Sequence, residues 1–118
     1  MEIIFHAHHA KISARMRRRA ELAVEHAARR LDRAVDGIVR FEQDGPVKRV
    51  EIVLHTPRKP DIVARGEARY YGPAMTVAID KLSAQVRKLR QLKLSDRKRN
   101  ARSVRKAGAA RELVGAEG

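Results

Sequence analysis

The sequence predicts an α+β fold in the order β-α-β-β-β-α, a four-stranded mixed sheet with two helices packed on one face. Three observations predict it. Two long stretches repeat apolar residues at helical spacing, each on one face only. Four short stretches alternate apolar and polar residues, as half-buried strands do. Glycine and proline fall at the joints between them. Two helices with one apolar face each must cover the same side of the sheet. The 118 residues are enough for one modest core, and with only 3% aromatic residues that core is aliphatic. Cysteine is absent, which excludes disulfides and thiolate metal sites.

The first strand is expected over Glu2–Ala7, with Ile3 and Phe5 on one face and Ile4 and His6 on the other. The string His6-Ala7-His8-His9 invites a metal reading. No carboxylate pair or further spaced ligand lies nearby in sequence, so no metal is assigned. Ser13 is the expected N-cap of a helix running to about Val35, whose buried face is Met16, Ala20, Ala23, Val24, Ala27, Leu31 and Val35. Arg15, Arg18, Arg29 and Arg33 lie opposite, with Arg19 and Arg30 beside them. A solvated helix with i,i+4 ion pairs accounts for Glu21 and Glu25. It accounts poorly for Arg17-Arg18-Arg19, where neighbouring like charges repel unless an anion is bound.

Gly37 marks an expected turn, and three strands should follow. Ile38–Gln43 points Val39 and Phe41 inward. After the turn Asp44-Gly45-Pro46, Val47–Thr56 points Val50, Ile52 and Leu54 inward. After the loop Pro57–Pro60, Asp61–Arg69 aligns Ile62, Ala64, Gly66 and Ala68. The outward positions carry both signs of charge, which suits an exposed antiparallel face. They lack the aromatics that base stacking needs. A strand–helix–strand unit with parallel strands crosses right-handed.

The second helix should open with Gly72 as cap and Pro73 at its first position. Its apolar stripe is Met75, Ala78, Ile79, Leu82, Val86 and Leu89, with Lys81, Gln85 and Lys88 along one flank. Beyond Leu89 the stripe fails. A domain over residues 1–95 and a basic, flexible tail over 96–118 are therefore expected.

The formal charge is +13, and its location is informative. Residues 81–106 hold eleven Lys and Arg against Asp96 alone, and residues 11–33 hold eight against three acids. Residues 34–80 are balanced, with seven of each sign. Charge placed only for solubility would not segregate onto two helices and a tail. Segregation of this kind points to a polyanion, nucleic acid first.

Several strings in this order resemble the ribosome hibernation-promoting factor and ribosome-associated inhibitor family. Ile12-Ser13 followed by Met16-Arg17 is similar to that family's helix start. Ala78-Ile79-Asp80-Lys81-Leu82, then Gln85, Lys88, Arg90 and Lys93, is similar to its Ile-Asp-Lys-Leu run with basic residues at helical spacing. The resemblance covers roughly residues 1–95. It departs at Tyr70-Tyr71-Gly72, where the family has Asp-Met-Tyr or a close variant, and at His26, where a Lys is common. It implies a short-form member without a second, dimerising domain. It also implies docking on small-subunit rRNA in the cleft where mRNA and tRNA meet, with translation blocked in idle ribosomes. The nucleic-acid-binding residues expected on this basis are Arg15, Arg17, Arg18, Arg29 and Arg33 of the first helix and Lys81, Gln85, Lys88, Arg90 and Lys93 of the second.

Other readings fit less well. A double-stranded or structured RNA-binding module not specific to ribosomes shares the helix–three strands–helix order. Its lysine cluster would sit at the start of the last helix, where Gly72–Thr76 is uncharged. An enzyme would need a nucleophile–base pair, a phosphate-binding glycine loop or metal-ligand spacing, and none is visible. A membrane-surface helix would carry interfacial Trp or Phe. Neither a signal peptide nor a spanning run is evident, so the expected setting is the cytoplasm. The expected chain is a monomer when free, with no cofactor and no small-molecule substrate.

Overall fold

A computed structural model describes residues 1–8, 10–31, 36–57 and 59–113, without side-chain detail for residue 93 and for residues 95–113. The elements follow the expected order: β1 (Glu2–His8), α1 (Ala14–Arg29), β2 (Asp36–Asp44), β3 (Val47–His55), β4 (Ile62–Ala68) and α2 (Tyr71–Leu113). The strands lie side by side in the order β1-β2-β3-β4. β1 runs parallel to β2, and the other two pairings are antiparallel.

Alternation assigns the two sheet faces as the sequence implied. Val39, Phe41, Val50, Ile52, Leu54, Ile62 and Ala64 point into one buried cluster. Ala20, Val24 and Ala27 of α1 join it, as do Ala74, Met75, Ala78, Leu82 and Val86 of α2. Both helices therefore cover one face of the sheet, and the other face is open. Gly45 joins β2 to β3 with φ +58°, the left-handed conformation that a primed two-residue hairpin turn needs and glycine adopts at no steric cost.

Gly37 departs from expectation. It lies within β2, not in a turn, because α1 presses on the strand there. A Cβ at position 37 would lie 2.8 Å from Cγ1 of Val24. Gly66 does the same under α2 and more tightly. A Cβ there would lie 2.0 Å from the carbonyl oxygen of Ala74 and 2.7 Å from the amide nitrogen of Ala78. The small inward residues Gly66, Ala74 and Ala78 let the helix backbone approach the strand.

Ser13 caps α1, its Oγ accepting from the Met16 amide at 3.1 Å. The helix ends at Arg29, earlier than the apolar period suggested, and the expected core residue Val35 lies outside the described residues. α2 begins one residue before Gly72. The Ala74 amide donates to the Tyr70 carbonyl, which makes Tyr70 the cap and puts Pro73 third in the helix. Proline is tolerated there because first-turn N–H groups have no intrahelical partner. Leu89, expected in the core, is 40% exposed, so the buried stripe ends at Val86.

The chain divides into two compact units, Met1–Arg87 and Lys88–Gly118. In the second unit α2 continues to Leu113, past the point where a flexible tail was expected. Ala, Arg, Lys and Leu dominate residues 101–113, and all are strong helix formers even without an apolar stripe. Leu92 and Leu94 of this unit are each 52% exposed. Among the described residues no helix is long and apolar enough to cross a membrane.

Candidate nucleic-acid interface

Consecutive arginines on a helix point 100° apart, and Arg17, Arg18 and Arg19 separate accordingly. Arg17 lies over the Phe5 ring of β1, its guanidinium carbon 4.9 Å from the ring centroid. Arg18 faces solvent and reaches Glu21 at 3.5 Å. Arg19 crosses to α2, donating to the Gly72 carbonyl at 3.1 Å and to Oγ1 of Thr76 at 2.6 Å. Thr76 Oγ1 in turn donates to the Gly72 carbonyl. The run therefore has a structural account that its sequence did not suggest. Residues one apart on a helix do not face each other, and each of these three has its own partner.

What remains as an outward cationic surface on α1 is Arg15, Arg18 and Arg29, with Leu22 and His26 exposed among them. Arg18 and Arg29 keep only loose acid contacts, at 3.5 Å to Glu21 and 4.0 Å to Glu25, and the Arg29 side chain is 76% exposed. Exposed pairs of this kind are worth about 0–1 kcal/mol. They leave the guanidiniums available to a stronger anion. Arg33 lies outside the described residues.

On α2, Gln85 is held by the sheet. Its Nε2 donates to the Val63 carbonyl on β4 at 2.7 Å. β4 is an edge strand, so the bond covers a carbonyl that would otherwise be open to another strand. Lys81 is exposed on the same flank, by helical geometry the β4 side. Thr76, which Arg19 grips, marks the opposite flank, toward α1. The cations of α1 and Lys81 thus belong to one helix layer but flank α2 on different sides. Lys88 and Arg90 are exposed in the second unit, and the side chain of Lys93 lies outside the described residues.

The open sheet face is electrostatically different. Glu51 receives Arg40 and Arg65 together, and Arg49 bonds Glu67 and Glu42. Hydrogen bonding to Glu67 comes first in raising the Arg49 pKa above its ordinary value, followed by the Glu67 charge. His55 and Asp61 meet at 2.7 Å. Guanidiniums on this side are already partnered by carboxylates.

Tyr71 occupies a position where the chain departs from the hibernation-factor pattern. Its ring meets Phe41 edge-on at 5.8 Å, and Lys48 Nζ lies 5.0 Å from its centroid. The hydroxyl is buried without a hydrogen-bond partner. Burial, with a smaller contribution from the charge of Glu42, pushes its pKa above the ordinary phenol value. Neither Arg19 nor Gln85 stands out in sequence as a helix-positioning residue. The only available signal was their place on the flanks of a stripe, which does not say what each flank meets.

Among the described residues no group of His, Asp and Glu is arranged to hold a metal ion. No curated protein sequence matches the chain. Among solved structures it is similar to a ribosomal subunit interface protein from Coxiella burnetii. That match has 21% identity and a TM-score of 0.63, and covers 77% of this chain and 99% of that one. It is also similar to the N-terminal domain of Protein Y from Thermus thermophilus, at 22% identity and a TM-score of 0.62, covering 75% of this chain and 94% of that one. At such identities the likeness is one of fold. The sequence profile of the family described as sigma 54 modulation protein / S30EA ribosomal protein matches residues 3–93, and the chain belongs to that family.

Proposed function

We propose that this chain is a ribosome-binding hibernation factor of the cytoplasm. It docks on small-subunit rRNA in the cleft where mRNA and tRNA meet and blocks translation in idle ribosomes. Family membership and the likeness to a ribosomal subunit interface protein support ribosome association. The observation that carries the mode of binding is the division of charge between the two sides of the sheet. Arg15, Arg18, Arg29 and Lys81 are exposed on the helix layer, whereas the arginines of the open sheet face are bound to carboxylates.

Lysine and arginine on a helix surface neutralise phosphates and release counterions, which gives affinity with little base readout. An A-form RNA surface is read in the same way, through its backbone and shape. Arg17 contributes from its place over Phe5. Lys88 and Arg90 of the second unit, together with Arg33 and Lys93, extend the contact. The basic segment over residues 96–118 adds counterion release of its own. Gln85 serves by keeping α2 seated on β4. The chain acts by occupancy, without catalysis or cofactor.

Co-sedimentation with separated ribosomal subunits at stepped salt concentrations tests the reading. The expected result is selective pelleting with the small subunit, with log affinity falling by about 0.7–0.9 per phosphate contact per tenfold rise in salt. Equal affinity for an arbitrary RNA duplex would favour a general structured-RNA module instead. Binding indifferent to salt would sink the electrostatic account.

A further inference from the structure

The open face of the sheet is laid out in rows, and the register fixes them. Ile4 pairs with Ile38, Ile38 with Val53, and Val53 with Val63. An aliphatic row therefore crosses all four strands on the solvent side. Ile4 and Val63 are 41% and 39% exposed at its ends, with Ile38 and Val53 half-buried between them.

The row on one side of it is His6, Arg40, Glu51 and Arg65, again in direct register. The row on the other side is Glu2, Asp36 and His55, with Asp61 beside His55 at 2.7 Å. Rows lie about 7 Å apart, two residues along each strand.

We infer that this face pairs with the same face of a second copy, about a two-fold axis lying along the aliphatic row. Such an axis sets each aliphatic residue against its own equivalent and exchanges the two flanking rows. Arg40 then faces Asp36 of the second copy, and Arg65 faces its Asp61. His6 faces its Glu2, and Glu51 faces its His55. Every strand offers a complementary partner, as an isologous interface requires.

The surface does not fit a polyanion, because in these rows the acids Glu2, Asp36, Glu51 and Asp61 outnumber the guanidiniums of Arg40 and Arg65. Pairing back to back also leaves both helix layers outward. The cations of each copy stay as far apart as two stacked sheets permit, and RNA binding by the helices is not blocked.

Two sheets stacked about 10 Å apart pack with their strands about 30° from aligned, so the central strands match best and the edges diverge. Three rows over four strands give about 400 Å² per copy. That is below the standard size of a stable interface, so the pair is transient. Repulsion between chains of formal charge +13 weakens it further. At low concentration the proposed pair should dissociate into single chains.

Sedimentation velocity on the full chain from about 10 μM to about 1 mM, in moderate salt, tests the inference. The average mass should rise toward that of a dimer and no further. Arg40→Asp should weaken association at least about tenfold by placing like charges face to face. Asp36→Arg should do the same from the other side of the pair. The double variant Arg40→Asp, Asp36→Arg should restore association, because both members of the pair exchange sign. A thermal melt of each variant separates loss of pairing from loss of fold. If one single variant unfolds, the other single variant and the wild-type concentration series still decide. A wild type that stays monomeric throughout would overturn the inference, as would growth beyond dimer or a double variant that associates no better than the singles.

Discussion

Arg18 and Arg49 are the same residue type on opposite sides of one sheet, and their surroundings differ. Arg49 lies between Glu42 and Glu67, directly opposite both in the β-ladder. Arg18 has one carboxylate, a turn away on its own helix, at 3.5 Å. A strand brings side chains from two neighbouring strands to each residue, whereas an outward helix position meets only its own i±3 and i±4 neighbours. The three arginines of the sheet face are therefore held by carboxylates, whereas Arg18 and Arg29 of the helix layer keep only loose ones. Counting lysines and arginines does not locate a polyanion site. The supply of local carboxylates does.

The helix layer keeps its place only while α2 stays pressed to the sheet, so the largest expected effect is a change at Gly66. With Gly66→Val, the new Cβ would meet the Ala74 carbonyl oxygen and the Ala78 amide nitrogen, which belong to helix backbone and cannot swing aside. We expect a loss of more than about 3 kcal/mol of stability, read from a denaturant titration. Leu82→Ala, which empties a position only 1% exposed, should cost about 2–5 kcal/mol in the same measurement. A Gly66→Val protein as stable as the wild type would show that α2 is not seated on β4.

Next in size is a direct test of the two charge environments. The double change Arg15→Ala, Arg18→Ala should lower small-subunit affinity about tenfold or more at moderate salt and make its salt dependence shallower. Arg49→Ala, which strips a guanidinium already held by two glutamates, should leave both quantities near wild type. Equal losses from the two sides would mean that RNA engages the sheet face as well.

Much of this layout was legible in sequence. Period-two alternation gave the inward residues of β2, β3 and β4, and the 3.6-residue period gave the buried faces of both helices. Those patterns record burial, and burial is what decides them. The misread features depend on which element lies against which. Gly37 looks like a turn because glycine usually is one, yet it serves as clearance under Val24. Leu89 fits the period of α2 but lies outside the unit, Met1–Arg87, that holds the buried cluster. Arg19 looks like one more member of a basic run, and its two α2 partners are 53 and 57 residues away in sequence.

On the helix side, Arg19 reaches from α1 to α2. If it holds the two helices together, Arg19→Ala should cost about 1 kcal/mol, the scale of a charged hydrogen bond at a partly exposed site. Ribosome affinity should change less than in the Arg15, Arg18 double variant. Arg19→Lys keeps the charge but loses the two-pronged grip on Gly72 and Thr76. It should be destabilised almost as much as the alanine variant. If Arg19→Lys is as stable as wild type, charge rather than geometry is what position 19 supplies.

The smallest expected effect concerns Tyr71, where the helix layer meets the end of the sheet. Its hydroxyl is buried and unpartnered, and burial raises its pKa above the ordinary value of 10.0. A phenol is neutral when protonated, so the folded state favours the neutral form more than the unfolded state does. Its contribution to stability is therefore fully present below about pH 10 and is lost as pH rises through the folded pKa. Ultraviolet titration of a Tyr70→Phe variant, which leaves Tyr71 as the sole tyrosine, should show ionisation delayed beyond the ordinary phenol range. Tyr71→Phe should lose that part of the alkaline destabilisation. At neutral pH it should be as stable as wild type or more stable by up to about 1 kcal/mol, since it removes a buried polar group that has no partner and keeps the edge-on contact with Phe41. A Tyr71→Phe variant clearly less stable at neutral pH would mean that the hydroxyl is hydrogen-bonded in solution, to water or to a side chain nearby.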